Sequence, residues 1–284
     1  MFKSWMFIPG NNDKHLAKTY QLKANALIFD LEDAVSDSEK GSARLKVSKI
    51  IQELKSTMNF VRINDRTTSY FLDDLYEIVK DGLTGVVLPK VETKEDIVIT
   101  DYILNSLKKK YRIDKQILIV PLIETAAGLY HAYEIATASK QIHCLAFGAE
   151  DFRLDSNITT DIHGTELLYA KSKLVEVSRA AGIEAPVDSV FTNFKDEEGL
   201  REETELGKRL GFQGKLLIHP NQINTVNRIF SPSPEEIEEA KKIVQVYSES
   251  LDKGEAAIQV DGKMIDIPVA ERARKILLHV DMNY

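Results

Sequence analysis

Two acidic side chains stand at or just past the ends of apolar runs in this sequence: Glu124 closes PLIE, and Asp151 follows LAFGAE. Carboxylates that converge in a partly buried pocket repel each other unless a proton or a cation lies between them. Magnesium fits such a pair, because it is a hard ion that takes one or two carboxylates and fills its shell with water and substrate oxygens. The plainer alternative has both acids capping helices or pairing with Lys90 or Arg62. Arg62 interrupts the apolar run VRIN, and a buried guanidinium needs a matching carboxylate. If a substrate supplies it, the planar fork would hold that carboxylate or polarise a carbonyl. If Asp30 or Glu32 of DLED supplies it, Arg62 is structural. Strand alternation through DLED is expected to place Asp30 and Glu32 on one side, where they could hold metal-bound waters or orient Arg62. Asp33 would face the other way and cap the helix that starts near Ser36.

Two more side chains invite chemistry. Lys90 could form a Schiff base, but acids around it would raise the amine pKa, which favours a structural or phosphate-directed role. His219 in LIHPN is a candidate base or ligand, or a satisfied loop histidine. The sequence carries no G-x-S-x-G elbow, no phosphate loop of the G-x-x-x-x-G-K-[ST] type, no H-E-x-x-H helix and no strand-linked G-x-G-x-x-G. Serine hydrolases, nucleotide hydrolases, zinc proteases and dinucleotide enzymes lose support accordingly.

These residues need elements to position them, and eight short apolar runs supply the pattern: SWMFIPG, ALIFDLED, NFVRIN, GVVLPKV, ILIVPLIET, CLAFGAED, APVDSVF and KLLIHP. Helical spacing separates most of them, as in SYFLDDLYEIVKDG, where Phe71, Leu75, Ile78 and Val79 share a face and Gly82 is expected to end the helix. Continuous apolar strands alternating with helices predict a parallel sheet covered on both faces, and eight repeats predict a TIM (β/α)8 barrel. Asp30, Glu32, Arg62, Asn64, Lys90, Glu124, Asp151, Asp188 and His219 then fall at the carboxyl ends of seven strands, the face where this fold builds active sites. Glu124 and Asp151 end adjacent strands and are expected to share one pocket.

The barrel is predicted over residues 1–230 and a C-terminal extension over 231–284. In the extension, Ser233 is the expected N-cap of a helix whose apolar face comprises Ile237, Ala240, Ile243, Val244, Tyr247 and Leu251. Asp261-Gly262 marks a hairpin, and PVAERARKILLHV a closing helix. This tail is expected to be too small for a core of its own and to pack on the barrel or on a neighbouring subunit.

With 284 residues, 43% of them hydrophobic, the chain can bury a large core. A net charge of -7 argues against a nucleic-acid partner. The single cysteine, Cys144, lies in an apolar run, which excludes a disulfide framework and a cysteine metal site and points to a reducing cytoplasm. MFKSWMFIPG lacks the apolar stretch of a signal peptide, and no run approaches the length of a membrane span. A soluble cytoplasmic protein with no membrane partner is expected.

With those residues in place, the chain resembles the HpcH/HpaI aldolase and citrate lyase beta-subunit family, in its CitE-like branch. SWMFIPG, ALIFDLEDAV with Lys40 and Arg44, VRIND, GVVLPKVET, PLIETAAGL, LAFGAEDF, GFQGKLLIHPNQI and DGKMIDIPVAERARKIL carry the likeness in order along nearly the whole chain. The resemblance implies a TIM-barrel carbon–carbon lyase that uses Mg²⁺, with Glu124 and Asp151 as metal ligands and Arg62 binding the oxoacid. It implies that Asp266 enters the active site of the next subunit as acid/base, in a homotrimer or a dimer of trimers. The small pair Gly148-Ala149 would let backbone N–H groups approach the substrate carboxylate, and Asp30, Glu32 and Lys90 would support the metal ligands. The implied substrate is a 3-hydroxyacyl thioester such as malyl-CoA, citramalyl-CoA or a citryl thioester. The alternatives are a thioester hydrolase on malyl-CoA-type substrates, and a citrate lyase beta subunit acting only on an acyl carrier protein. Lys14, Lys18 and Lys215 are candidate contacts for the phosphates of CoA. In one place the chain departs from the family pattern: VFTNF carries Asn193 where an aspartate is expected.

Overall fold

The structure is a computed structural model that describes residues 2–54, 57–160, 164–252, 257–260 and 262–281. Its residues divide into two compact units, Phe2–Asn227 and the chain from Arg228 onward.

In the first unit eight parallel strands close into a barrel in sequence order: β1 (Ser4–Pro9), β2 (Ala26–Asp30), β3 (Met58–Arg62), β4 (Leu83–Leu88), β5 (Leu118–Ile123), β6 (Ala146–Phe147), β7 (Val187–Asp188) and β8 (Gly214–Leu217). Pairing of β1 with both β2 and β8 closes the ring. Every strand overlaps one of the eight apolar runs, with β3, β4 and β8 beginning one or two residues ahead of theirs, and helices lie between consecutive strands throughout.

Side chains of alternating residues fill the interior. Trp5, Phe60, Val87, Leu122, Ala146 and Leu216 belong to one buried cluster drawn from six different strands. The residues between them, such as Leu27, Val61, Val86 and Leu217, are equally buried and face the helix layer, which is why the strands read as continuous apolar runs. The same period of two identifies the next interior positions toward the carboxyl end. Two residues beyond Ile28, Phe60, Leu122 and Ala146 come Asp30, Arg62, Glu124 and Gly148. Asp30 and Arg62 are also register partners in β2 and β3.

The helix Tyr70–Ile78 buries Phe71, Leu75 and Ile78 as its spacing predicts, but it stops at Val79 instead of continuing to Gly82. Among the described residues, no helix is long and apolar enough to cross a membrane.

In the second unit the helix Pro234–Asp252 begins at Ser233, whose N–H donates to Glu236 Oε2 at 2.8 Å while its Oγ accepts the Glu236 N–H at 3.1 Å. This reciprocal pair is a capping box. Strands β9 (Ile258–Val260) and β10 (Lys263–Ile265) pair antiparallel. Of the turn between them, Gly262 has φ +79° and Asp261 lies outside the described residues. The helix Ile267–Asp281 follows. Tyr247, Ile265 and Ala270 form a buried cluster with Ile243, Ile258 and Val269 around it, so the expectation of a tail without any core is corrected. Leu251, expected on the apolar face, is 48% exposed, and Ser250 is buried in its place.

Candidate active site

At the mouth of the barrel Arg62 is held by three acids. Its Nε and Nη2 donate to Asp30 Oδ1 and Oδ2 at 2.7 and 2.6 Å, a two-pronged grip on one edge of the guanidinium. Nη1 donates to Asp33 Oδ2 at 3.0 Å and lies 2.9 Å from Glu32 Oε2, the latter an ion pair outside hydrogen-bond geometry. The ring of Phe7 lies 5.0 Å from the guanidinium carbon. Burial works against the charge of Arg62, yet Asp30 outweighs it and the pKa moves up.

Asp33 therefore turns toward Arg62, against the expectation that it faces away. The reason is local: β2 ends at Asp30, so strand alternation no longer governs DLED. Asp33 caps no helix, and Asp30 closes the turn that follows β2, its two oxygens accepting the N–H groups of Glu32 and Ala34 at 2.9 and 3.1 Å.

Glu124 lies directly after β5 and is 2% exposed. Its Oε1 accepts the backbone N–H of Lys90 at 2.7 Å. A Cβ placed on Gly148 would come within 2.6 Å of Oε2, so the glycine is what leaves room for this carboxylate. Burial, followed by the charges of Glu32 and Asp151, pushes the Glu124 pKa up to about 8. Asp151 sits in the first turn of the helix Ala149–Asp155, half-buried, and its carboxylate has no hydrogen-bond or ion-pair partner among the described residues. Its neighbour Glu150 points elsewhere and pairs with Arg153 at 2.7 Å.

Several expected site residues have other work. The N–H of Gly148 donates to Ile123 O at 3.0 Å and is not free for a ligand, whereas the first intrahelical bond of the following helix is made by Phe152, which leaves the Ala149 amide at the open end. Lys90 pairs with Glu32 at 3.1 Å, and although burial opposes it, Glu32 holds the ammonium pKa above its ordinary value, the opposite of what a Schiff-base lysine needs. Asn64 is spent on Asp74 and the Leu31 carbonyl. His219 stacks on Phe194 with centroids 4.9 Å apart, and its Nδ1 accepts the Asn221 N–H at 3.3 Å, a loop role.

Asp188 and Lys215 are corrected more sharply. Val187 and Leu216 face the barrel interior, so their neighbours face the helices. There Lys215 Nζ, fully buried, pairs with Asp188 at 3.1 Å and with Glu203 at 2.5 Å, and Lys171 reaches Asp188 at 3.0 Å. Neither residue reaches the mouth, and a buried Lys215 makes no phosphate contact. Lys14 and Lys18 are exposed on the helix Asp13–Lys18.

A sequence model of the HpcH/HpaI aldolase/citrate lyase family matches residues 3–220. The chain belongs to this family. It is 38% identical over 285 residues to the citrate lyase subunit beta of Leuconostoc mesenteroides subsp. cremoris, covering 99% of this chain and 94% of that protein. It is 32% identical over 285 residues to the mitochondrial citramalyl-CoA lyase of Rattus norvegicus, covering 96% and 84%. Among solved structures, protein CitE from Mycobacterium tuberculosis, in complex with magnesium, acetoacetate and coenzyme A, matches with a TM-score of 0.79 at 26% identity, over 98% of this chain and 97% of that one. This HpcH/HpaI family member is a carbon–carbon lyase.

The mouth of this family barrel has the donor set of a hard divalent cation. Glu124 is buried among carboxylates, Asp151 is unpartnered, and Glu32 Oε2 is buried without a hydrogen bond. Among the described residues no three Asp, Glu, His or Cys side chains cluster at metal-binding distance. A two-carboxylate site completed by water and substrate oxygens needs no third.

The sequence reading gave no role to Lys40 or Phe7. Lys40 Nζ, buried, donates to the carbonyls of Leu31 and Glu32 at 2.9 and 2.8 Å and ties the helix Lys40–Glu53 to the DLED turn. A lysine ten residues past a strand end carries no local sign of that contact. Phe7 was legible, because it stands two residues beyond Trp5 on the interior face of β1.

Proposed function

We propose that this lyase cleaves a 3-hydroxyacyl thioester of the citryl or citramalyl type into an oxoacid and an acyl thioester. The observation that carries the reading is the meeting of Glu124, Asp151 and the acid-held Arg62 at one barrel mouth. Citryl and citramalyl thioesters share a tertiary hydroxyl next to a carboxylate, and the two relatives bearing those names lie at 38% and 32% identity.

Magnesium, as in the Mycobacterium tuberculosis relative, would be held by Glu124 and Asp151 and would supply a Lewis acid toward the hydroxyl and carboxylate oxygens of the oxoacid half. Arg62 binds the carboxylate of that half. Its Asp30 edge is buried and fixed, whereas Asp33 on Nη1 is 60% exposed and is the partner a substrate carboxylate can displace. Ala149 offers its backbone N–H to the same group. As the hydroxyl passes its proton to water, the C2–C3 bond breaks, the hydroxyl carbon becomes the oxoacid carbonyl, and the electron pair passes to the thioester as an enolate. Positive charge fixed at Arg62 before the reaction needs no reorganisation when negative charge develops.

Asp266 of a neighbouring copy would then protonate the enolate carbon, which makes the acyl thioester. Within its own unit Asp266 caps the last helix, accepting the Val269 N–H at 3.3 Å. Met264 and Ile267 on either side of it are 69% and 60% exposed, the apolar flanks that a docking hairpin requires. A head-to-tail contact of this kind closes into a ring, consistent with a trimer or a dimer of trimers. The carrier is CoA in this reading.

The test is product analysis with Mg²⁺ and CoA thioesters of citrate, citramalate and malate. Equal amounts of an oxoacid and acetyl-CoA support cleavage. Free hydroxyacid with free thiol would replace it by a hydrolase, and turnover only on an acyl-carrier-protein thioester would replace CoA as the carrier.

A further inference from the structure

Lys90 has a backbone conformation that its residue type disfavours. It lies two residues beyond β4 with φ +50°, in the left-handed region, where a Cβ crowds the chain and where residues persist only if their surroundings hold them. Those surroundings act from both sides. Pro89 before it has a fixed φ. After it, the Val91 carbonyl packs so closely on Gly128 that a Cβ there would not fit, and the Glu92 carbonyl meets His131 Nδ1 at 3.0 Å.

In this conformation the Lys90 N–H donates to Glu124 Oε1 at 2.7 Å, while Gly148 stands behind Oε2. One oxygen of Glu124 is thereby held by a backbone N–H, and the other lies in the space that Gly148 leaves. With the loop clamped after Lys90, any other φ would rotate the peptide that carries this N–H away from Glu124. The lysine side chain, 43% exposed, hydrogen-bonds Glu32 at 3.1 Å and meets Glu124 only through longer-range charge.

We propose that Lys90 is a positioning residue whose left-handed backbone orients the Glu124 carboxylate as a metal ligand, a role its ammonium does not share. This rests on the magnesium site proposed above. A hydrogen bond from outside the ligand shell that fixes a ligand's orientation commonly changes metal affinity by roughly 10- to 100-fold.

Lys90→Gly, Lys90→Ala and Lys90→Val all delete the ammonium and differ in backbone preference. Glycine enters the left-handed region freely, alanine at the same cost as lysine, and a β-branched valine only as an outlier. Mg²⁺ affinity is measured by titration calorimetry without substrate, alongside the melting temperature. The expected result is near-normal affinity, within about threefold, for Gly and Ala, and at least roughly tenfold weaker binding for Val. A second measurement follows amide exchange at Lys90 in metal-free protein, which should quicken roughly tenfold in Glu124→Ala because the hydrogen bond to the carboxyl is lost. Equal affinity in the three variants, or an exchange rate unmoved by Glu124→Ala, would overturn the inference. Wild-type Mg²⁺ affinity that survives Glu124→Ala would overturn the metal site instead, and the exchange rate would still judge the contact between Lys90 and Glu124.

Discussion

Asp30 and Arg62 occupy paired positions in β2 and β3 and meet through two hydrogen bonds of 2.7 and 2.6 Å, with Asp30 also closing the DLED turn. One carboxylate thus fixes both the guanidinium and the loop beside it. Asp30→Asn should leave Arg62 poorly matched and cost about 3–5 kcal/mol, the usual penalty for breaking a buried pair. Urea unfolding measures the loss, and the KM for thioester should rise in the surviving folded enzyme.

Gly148→Ala tests the room beside Glu124. The new methyl would stand 2.6 Å from Oε2 and force the carboxylate to move. Overpacking of this kind costs about 1–3 kcal/mol of stability. Displacement of a ligand by an ångström can lower turnover by roughly 10²-fold. Activity should therefore fall far more than the melting temperature, as kinetics and thermal unfolding on the same preparation would show.

Glu124→Gln separates charge from fold. The carboxyl's folded pKa of about 8 stands above its ordinary value of 4.5, so ionising it in the metal-free fold costs stability that accumulates as pH rises through that interval. The variant should be at least as stable as the wild type at pH 8 without metal and should lose the stabilisation by Mg²⁺. In the wild type, saturating Mg²⁺ should raise the melting temperature by about 5 °C at that pH. Thermal shifts with and without Mg²⁺ at pH 6 and 8 read both effects.

Lys215→Met tests the buried cluster behind β7 and β8. Burial opposes both charges, but Lys215 and Lys171 hold the Asp188 pKa down, and Asp188 with Glu203 holds the Lys215 pKa up. The Asp188 contribution is present above its ordinary 3.8 and lost as pH falls through the lowered value; that of Lys215 is present below 10.5 and lost as pH rises through the raised one. Wild-type stability from this cluster is thus flat across neutral pH. The variant should lose about 3–5 kcal/mol there, with Mg²⁺ affinity and the KM for CoA thioesters unchanged. A raised KM would return Lys215 to the phosphate role.

Asp266→Asn should keep Mg²⁺ and oxoacid binding and lose turnover by roughly 10²- to 10⁴-fold, the worth of a general acid. Mixing it with Arg62→Met protein should restore part of the activity if each site draws Asp266 from a neighbour. Near-normal turnover in the single variant would remove Asp266 from the mechanism.

The amino-acid order by itself determined the barrel, because eight continuous apolar runs separated by helices can bury both faces of their strands in few other ways. It also brought Asp30, Arg62 and Glu124 to strand ends at the mouth, but it placed Asp188 there too, and only the inward-facing Val187 and Leu216 of the closed barrel turn Asp188 and Lys215 toward the helices. Tertiary structure alone decided the partners. Asp33 turns back to Arg62 because β2 ends before it, Lys40 clamps the DLED carbonyls from a neighbouring helix, and Lys90 adopts a left-handed backbone under pressure from the β5 loop. Glu124 and Gly148 touch across a strand boundary 24 residues apart in number. Apolar periodicity is local and repeats along the chain, whereas charge pairing and close approach depend on distances that exist only once the barrel has closed.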